Sequence, residues 1–67
     1  MYYYVNQNAQ ENGDHEVHQA GCPHMPDEEN RFYLGNFDNC REAVAEAKNI
    51  YPRADGCFFC ANPCHTR

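Results

Sequence analysis

Residues 57–60 read Cys-Phe-Phe-Cys, and residues 18–22 read His-Gln-Ala-Gly-Cys. Two residues between thiols let both sulfurs reach one ion from a tight turn. The Ala54-Asp55-Gly56 stretch ahead of Cys57 reads as the turn that leads into it, with Gly56 free to take a positive φ. Upstream, His18-x3-Cys22 offers a second donor pair. Gly21 before Cys22 and Pro23 after it make that segment a bend. Thiolates and imidazoles at this spacing suit zinc. The expected ligand set is His18, Cys22, Cys57 and Cys60, with Zn2+ as the cofactor. His15 is a rival for His18, and Cys64 or His65 for one of the others.

The rest of the chain explains why a metal is needed. Its 67 residues make one domain, 1–67, and exclude Rossmann folds and barrels. A chain of this length buries only roughly 60% of the surface its unfolded form exposes. Its core alone supplies about 3–5 kcal/mol. The hydrophobic fraction is 42%, but Leu, Ile and Val together number five, so tyrosine, cysteine and alanine make up most of it. Structural zinc in small domains contributes on the order of 10–16 kcal/mol of apparent binding free energy.

Five cysteines cannot all pair within one chain. The N-terminus, Met-Tyr-Tyr-Tyr-Val-Asn-Gln, has no basic stretch and no long apolar run. It therefore reads as lacking a secretion signal, which points to the reducing cytoplasm, where such cysteines more often bind metal than pair. No run of about 18 apolar residues predicts a membrane span. Ten acids against five bases give a net charge of −5, and the bases are scattered singly. That balance argues against nucleic acid and anionic membrane, which need clustered Lys and Arg.

Hydropathy patterning predicts a small α+β unit. Residues 2–7 and His15–Gln19 read as a β-hairpin about an Asn12-Gly13-Asp14 turn, and Arg31–Gly35 as a third strand. Asp38 is the predicted helix cap. Cys40, Ala43, Val44, Ala47, Ile50 and Tyr51 form one apolar helical face, and Pro52 is the expected stop. The expected architecture is a small three-stranded antiparallel sheet carrying one main helix, stapled by structural zinc. In a strand, residues 15 and 18 face opposite sides, so one of the two histidines points at the metal. His24 and His65 read as exposed loop histidines. At least one of Phe58 and Phe59 is expected to cover the metal site and core; the other reading makes them a partner anchor.

Several of these residues together resemble the metal-binding domain of the Ada DNA-repair protein family. They are His18-x3-Cys22, Asn30-Arg-Phe-Tyr-Leu34, Phe37-x4-Glu42-Ala43 and Cys57-x2-Cys60, spanning roughly residues 17 to 63. The resemblance implies a structural α+β zinc fold and the same four ligands. In that family four cysteines bind zinc and the first accepts a methyl group. Here His18 holds that position, and an imidazole cannot play that part. The family's basic residues around the closing cysteines are also missing. Fold and metal are therefore expected to carry over, and repair activity is not.

The expected function is a monomeric, non-enzymatic zinc domain that binds a protein partner. Three thiolates and an imidazole close the coordination shell, so no catalytic metal is expected. The alternatives are a metal carrier, a thiol redox sensor using Cys40 and Cys64, and, by family analogy, a nucleic-acid-binding module. Cys40 and Cys64 read either as a disulfide that ties the tail to the helix start or as a small buried hydrophobe and a free thiol.

Overall fold

The computed structural model describes residues 1–66. Strand β1, Tyr2–Asn6, pairs antiparallel with β2, His15–Gln19, as the hairpin reading requires. Strand β3, Arg31–Asn36, pairs antiparallel with the other edge of β1. Helix α1, Cys40–Ala47, follows, and then a short strand β4, Ala54–Gly56. Single 3-10 turns occupy Glu28–Asn30 and Asn62–Cys64. The sheet order is β3-β1-β2-β4.

The α+β class holds, but the expected three-stranded antiparallel sheet is a four-stranded mixed one. Ala54–Gly56 is a strand that runs parallel to β2, with His15 opposite Ala54 and Val17 opposite Gly56. Its three residues carry no β-propensity signal. Strand status comes from the ladder that β2 offers to a chain returning from the helix. Gly56 consequently does not take a positive φ; the glycines that do are Gly13, Gly21 and Gly35. Gly56 is required for its size instead. A Cβ there would sit 2.7 Å from the Ala61 carbonyl oxygen and 2.7 Å from Cys64 Cβ.

The helix is shorter than its apolar face suggests. Asn39, not Asp38, is the N-cap: its side chain accepts the Glu42 backbone N–H. The helix ends at Ala47, five residues ahead of Pro52, in a turn closed by the Ile50 and Tyr51 N–H groups on the Ala47 carbonyl. Ile50 therefore leaves the apolar face and is 40% exposed. Tyr51 remains useful, stacking on His15 with ring centroids 3.9 Å apart.

Tyr3, Val5, Val17, Ala43, Val44, Ala47 and Ala54 form the core, with Leu34, Phe37, Cys40, Tyr51 and Cys64 packed around it. Three of the seven are alanines, each adding a single methyl, so apolar burial here is small. A Cys40–Cys64 disulfide, Cα to Cα 6.3 Å, pins the C-terminal turn onto the start of α1. It settles the choice between a paired and a buried unpaired Cys40. In the chain-entropy account, a loop of this size is worth about 3 kcal/mol.

The tight packing over Gly56 is testable. Gly56→Ala must push the 61–64 turn away, and we expect a loss of about 1–3 kcal/mol by denaturant unfolding of the metal-loaded chain. An unchanged midpoint would show that this turn yields freely.

Candidate metal centre

The two donor pairs arrive from opposite directions at one end of the β2–β4 ladder. On β2, Val17 faces the core, so alternation turns Glu16 and His18 to the other face. Past the strand, the Cys22 N–H bonds to the Gln19 carbonyl at 3.0 Å, and Gly21, at φ 91°, bends the chain back toward the sheet. From β4, the Cys57 N–H continues the ladder to the Val17 carbonyl at 2.9 Å, which brings Cys57 alongside His18. The knuckle then closes, with the Ala61 N–H on the Cys57 carbonyl at 2.9 Å, and returns Cys60 to the same place.

One donor atom from each of His18, Cys22, Cys57 and Cys60 lies within 4.8 Å of all the others. Cys22 Sγ and Cys57 Sγ are 3.9 Å apart, and Cys60 Sγ is 4.0 Å from His18 Nδ1. A tetrahedral site with metal–sulfur bonds of about 2.3 Å has sulfur–sulfur edges of roughly 3.8 Å. This cluster can hold a metal ion, and it consists of the four residues expected from the spacing. His18, Cys22 and Cys57 are buried, and Cys60 is partly exposed.

The competing donors are occupied elsewhere. His15 turns to the opposite face, its Nδ1 2.9 Å from the Asn6 carbonyl oxygen. Cys64 is spent in the disulfide. His65 Nδ1 lies 3.1 Å from the Gly56 carbonyl oxygen and 3.4 Å from Asp55. His24 is exposed, as expected, and stacks on Phe59 at 4.2 Å. Neither phenylalanine covers the centre, contrary to expectation: Phe58 is 56% and Phe59 67% exposed. Turning Cys57 and Cys60 inward leaves the two residues between them on the outside of the knuckle.

Electrostatics fit a cation. Burial, together with the neighbouring Cys22 and Cys57 sulfurs, pushes the Cys60 thiol up to about 12. The Gln19 N–H, 3.2 Å from Cys60 Sγ, opposes this, and the His24 N–H lies 3.4 Å from Cys22 Sγ. Backbone donors aimed at sulfur favour thiolate. Burial, above all, holds the His18 imidazole below its ordinary value, which keeps it neutral as a ligand must be.

The residue that composition and spacing did not single out is Glu16. His18 Nε2 is buried without a hydrogen bond, and Glu16 Oε1 lies 3.5 Å away. With Nδ1 toward the sulfurs, Nε2 has a carboxylate as its nearest charged neighbour, and a carboxylate behind a metal-bound imidazole is what fixes it in one tautomer. Two-residue spacing in a strand was the available signal.

No family model, curated protein or solved structure matches the chain.

Two expectations follow. Glu16→Ala should leave the fold intact and weaken metal affinity by about 10–100-fold, read by competition against a chromogenic chelator. Affinity unchanged within about twofold would remove the carboxylate from the site. The metal must also displace the Cys60 proton at neutral pH. Affinity should therefore fall at least about tenfold per pH unit between pH 8 and 6, after correction for the chelator's own protonation. A flat profile would mean that binding displaces no thiol proton and that the cysteines do not ligate.

Proposed function

We propose that the chain is a structural-zinc domain that acts as a protein-interaction module and has no catalytic role. One observation carries this reading: four donors, three of them buried, converge from two distant segments into a closed set of three sulfurs and one imidazole. Zinc is the ion that this donor set suits, because thiolate and imidazole bind it tetrahedrally without redox chemistry. No coordination position is left for water or substrate. The spacing shared with the Ada metal-binding domain supports the same assignment, with His18 in the place of its reactive cysteine.

The interaction role draws on what the knuckle presents. Phe58 and Phe59 meet edge to face with centroids 5.6 Å apart and stand on the most rigid point that a metal would create. Surface charge argues for a protein rather than a nucleic acid. Zinc does not reverse the net charge of −5, since three thiolates outweigh one divalent ion. No helix among the described residues is long and apolar enough to cross a membrane.

Chelation separates a structural site from a carrier. Native mass spectrometry should find one zinc per chain, and its removal should collapse the dispersed amide NMR spectrum at the same chelator concentration. Cys57→Ser should behave like the chelated protein. Zinc that leaves with the native spectrum intact would identify a carrier and overturn the structural reading.

A further inference from the structure

The sheet has a second face, turned away from the helix. Tyr3 and Val5 point into the core, so alternation along β1 turns Tyr2 and Tyr4 the other way. The β1–β3 register sets Tyr33 opposite Tyr4 and so on that same face. The three rings form one cluster. Centroids are 5.3 Å apart for Tyr4 and Tyr33, and 6.3 Å apart for Tyr2 and Tyr33. Tyr2 is 54% and Tyr33 52% exposed, so a continuous aromatic surface meets solvent.

One cation already sits on this surface. The Arg31 guanidinium lies over the Tyr4 ring, 4.8 Å from its centroid. Arg31 is the only Lys or Arg in β1, β2 and β3. Its Nη1 also donates to the Pro26 carbonyl oxygen at 3.3 Å. Asp27, Glu28 and Glu29 stand immediately before β3 and are exposed, yet Arg31 pairs with none of them. The ring therefore holds a guanidinium while three carboxylates beside it in the chain have no ion pair among the described residues. Among those residues, no Lys or Arg lies over Tyr2 or Tyr33.

We propose that the Tyr2–Tyr4–Tyr33 face binds an arginine-bearing segment of a partner protein. A guanidinium of the partner stacks on Tyr2 and Tyr33 as Arg31 stacks on Tyr4. The inference rests on the interaction role proposed above and gives it a partner class, on a surface apart from the knuckle. Charge selects the partner. The chain carries −5, and its one run of three consecutive acids adjoins the strand that supplies Tyr33. A cationic segment is attracted to that surface. Single-stranded nucleic acid also stacks on aromatic side chains, but it needs a positive groove and is repelled here. Arginine is favoured over lysine because its planar, weakly hydrated guanidinium lies flat on an exposed ring, whereas an ammonium holds its water.

NMR titration of the zinc-loaded chain tests this with a peptide of three Ser-Gly-Arg repeats at about 50 mM salt. The signals of Tyr2, Tyr4 and Tyr33 should shift together and saturate, with a dissociation constant below about 1 mM. The same peptide with Lys for Arg should bind at least about threefold more weakly. With Gln for Arg it should not bind in this range. Tyr33→Leu removes the ring but keeps an apolar side chain, and should weaken the arginine peptide at least about fivefold. Tyr33→Phe keeps the ring without its hydroxyl and should stay within about twofold. Both substitutions fall on a half-exposed side chain, and amide dispersion checks that each variant is folded.

No saturable shift below about 1 mM would overturn the proposal, as would equal binding by the Lys or Gln peptide or by Tyr33→Leu. Shifts of the same tyrosines with a short uridine oligonucleotide would overturn it in favour of a base-stacking platform. Shifts on dilution of the chain alone would put a second copy on the face instead. Peptide shifts confined to Phe58 and Phe59 would leave the interaction role at the knuckle and remove it from the tyrosines. If the peptide fails to bind while chelation still collapses the spectrum, this inference falls and the structural-zinc reading stands.

Discussion

Three sulfurs and one imidazole share a space less than 5 Å across where the end of β2 meets the turn after β4. Such a cluster is unfavourable on its own terms. Burial raises the Cys60 thiol, neighbouring sulfurs raise it further, and a buried imidazole nitrogen is left without a hydrogen bond. A divalent cation reverses the costs at sulfur. It turns thiols into stable thiolates, uses the lone pair of the imidazole, and replaces repulsion with bonds. The same cation would tie the end of β2 to the knuckle after β4, segments separated by 35 residues at Cys22 and Cys57.

The apolar core beside it is small. A tyrosine, three valines and three alanines hold one helix to the sheet. Strand β4 has only three residues and pairs with one neighbour. Short parallel pairings of this kind have little stability of their own. Here the strand is bracketed, with the candidate metal centre beginning at the residue after it and the Cys40–Cys64 disulfide covering Gly56. The disulfide and the candidate metal centre thus meet on the same short segment.

Much of the candidate site was legible because its signals are local. The donor types, the two-residue gap in Cys57–Cys60 and the bend at Gly21 are all properties of a few consecutive residues. Strand alternation separated His18 from His15. The same rule applied to Glu16 would have placed its carboxylate on the face of His18. The misreadings fell where a local preference lost to a contact. Ala54–Gly56 has the composition of a turn, yet β2 offers it a ladder. Ile50 continues a helical period, yet the Ala47 carbonyl accepts two closing hydrogen bonds and the helix stops. Phe58 and Phe59 are apolar, yet they lie outside a knuckle whose inside is taken by sulfur.

Sequence alone determined the α+β class, the hairpin, the helix and the four candidate metal donors, because periodicity and ligand spacing are written in neighbouring residues. Tertiary structure decided the fourth strand, the Cys40–Cys64 pairing, the carboxylate behind His18 and the meeting of Tyr33 with Tyr2 and Tyr4. Each of these joins residues that chain order leaves apart, or reads a face rather than a motif. Their partners are chosen by which backbone edges and side chains the folded chain brings within a few ångströms, and no local pattern encodes that choice.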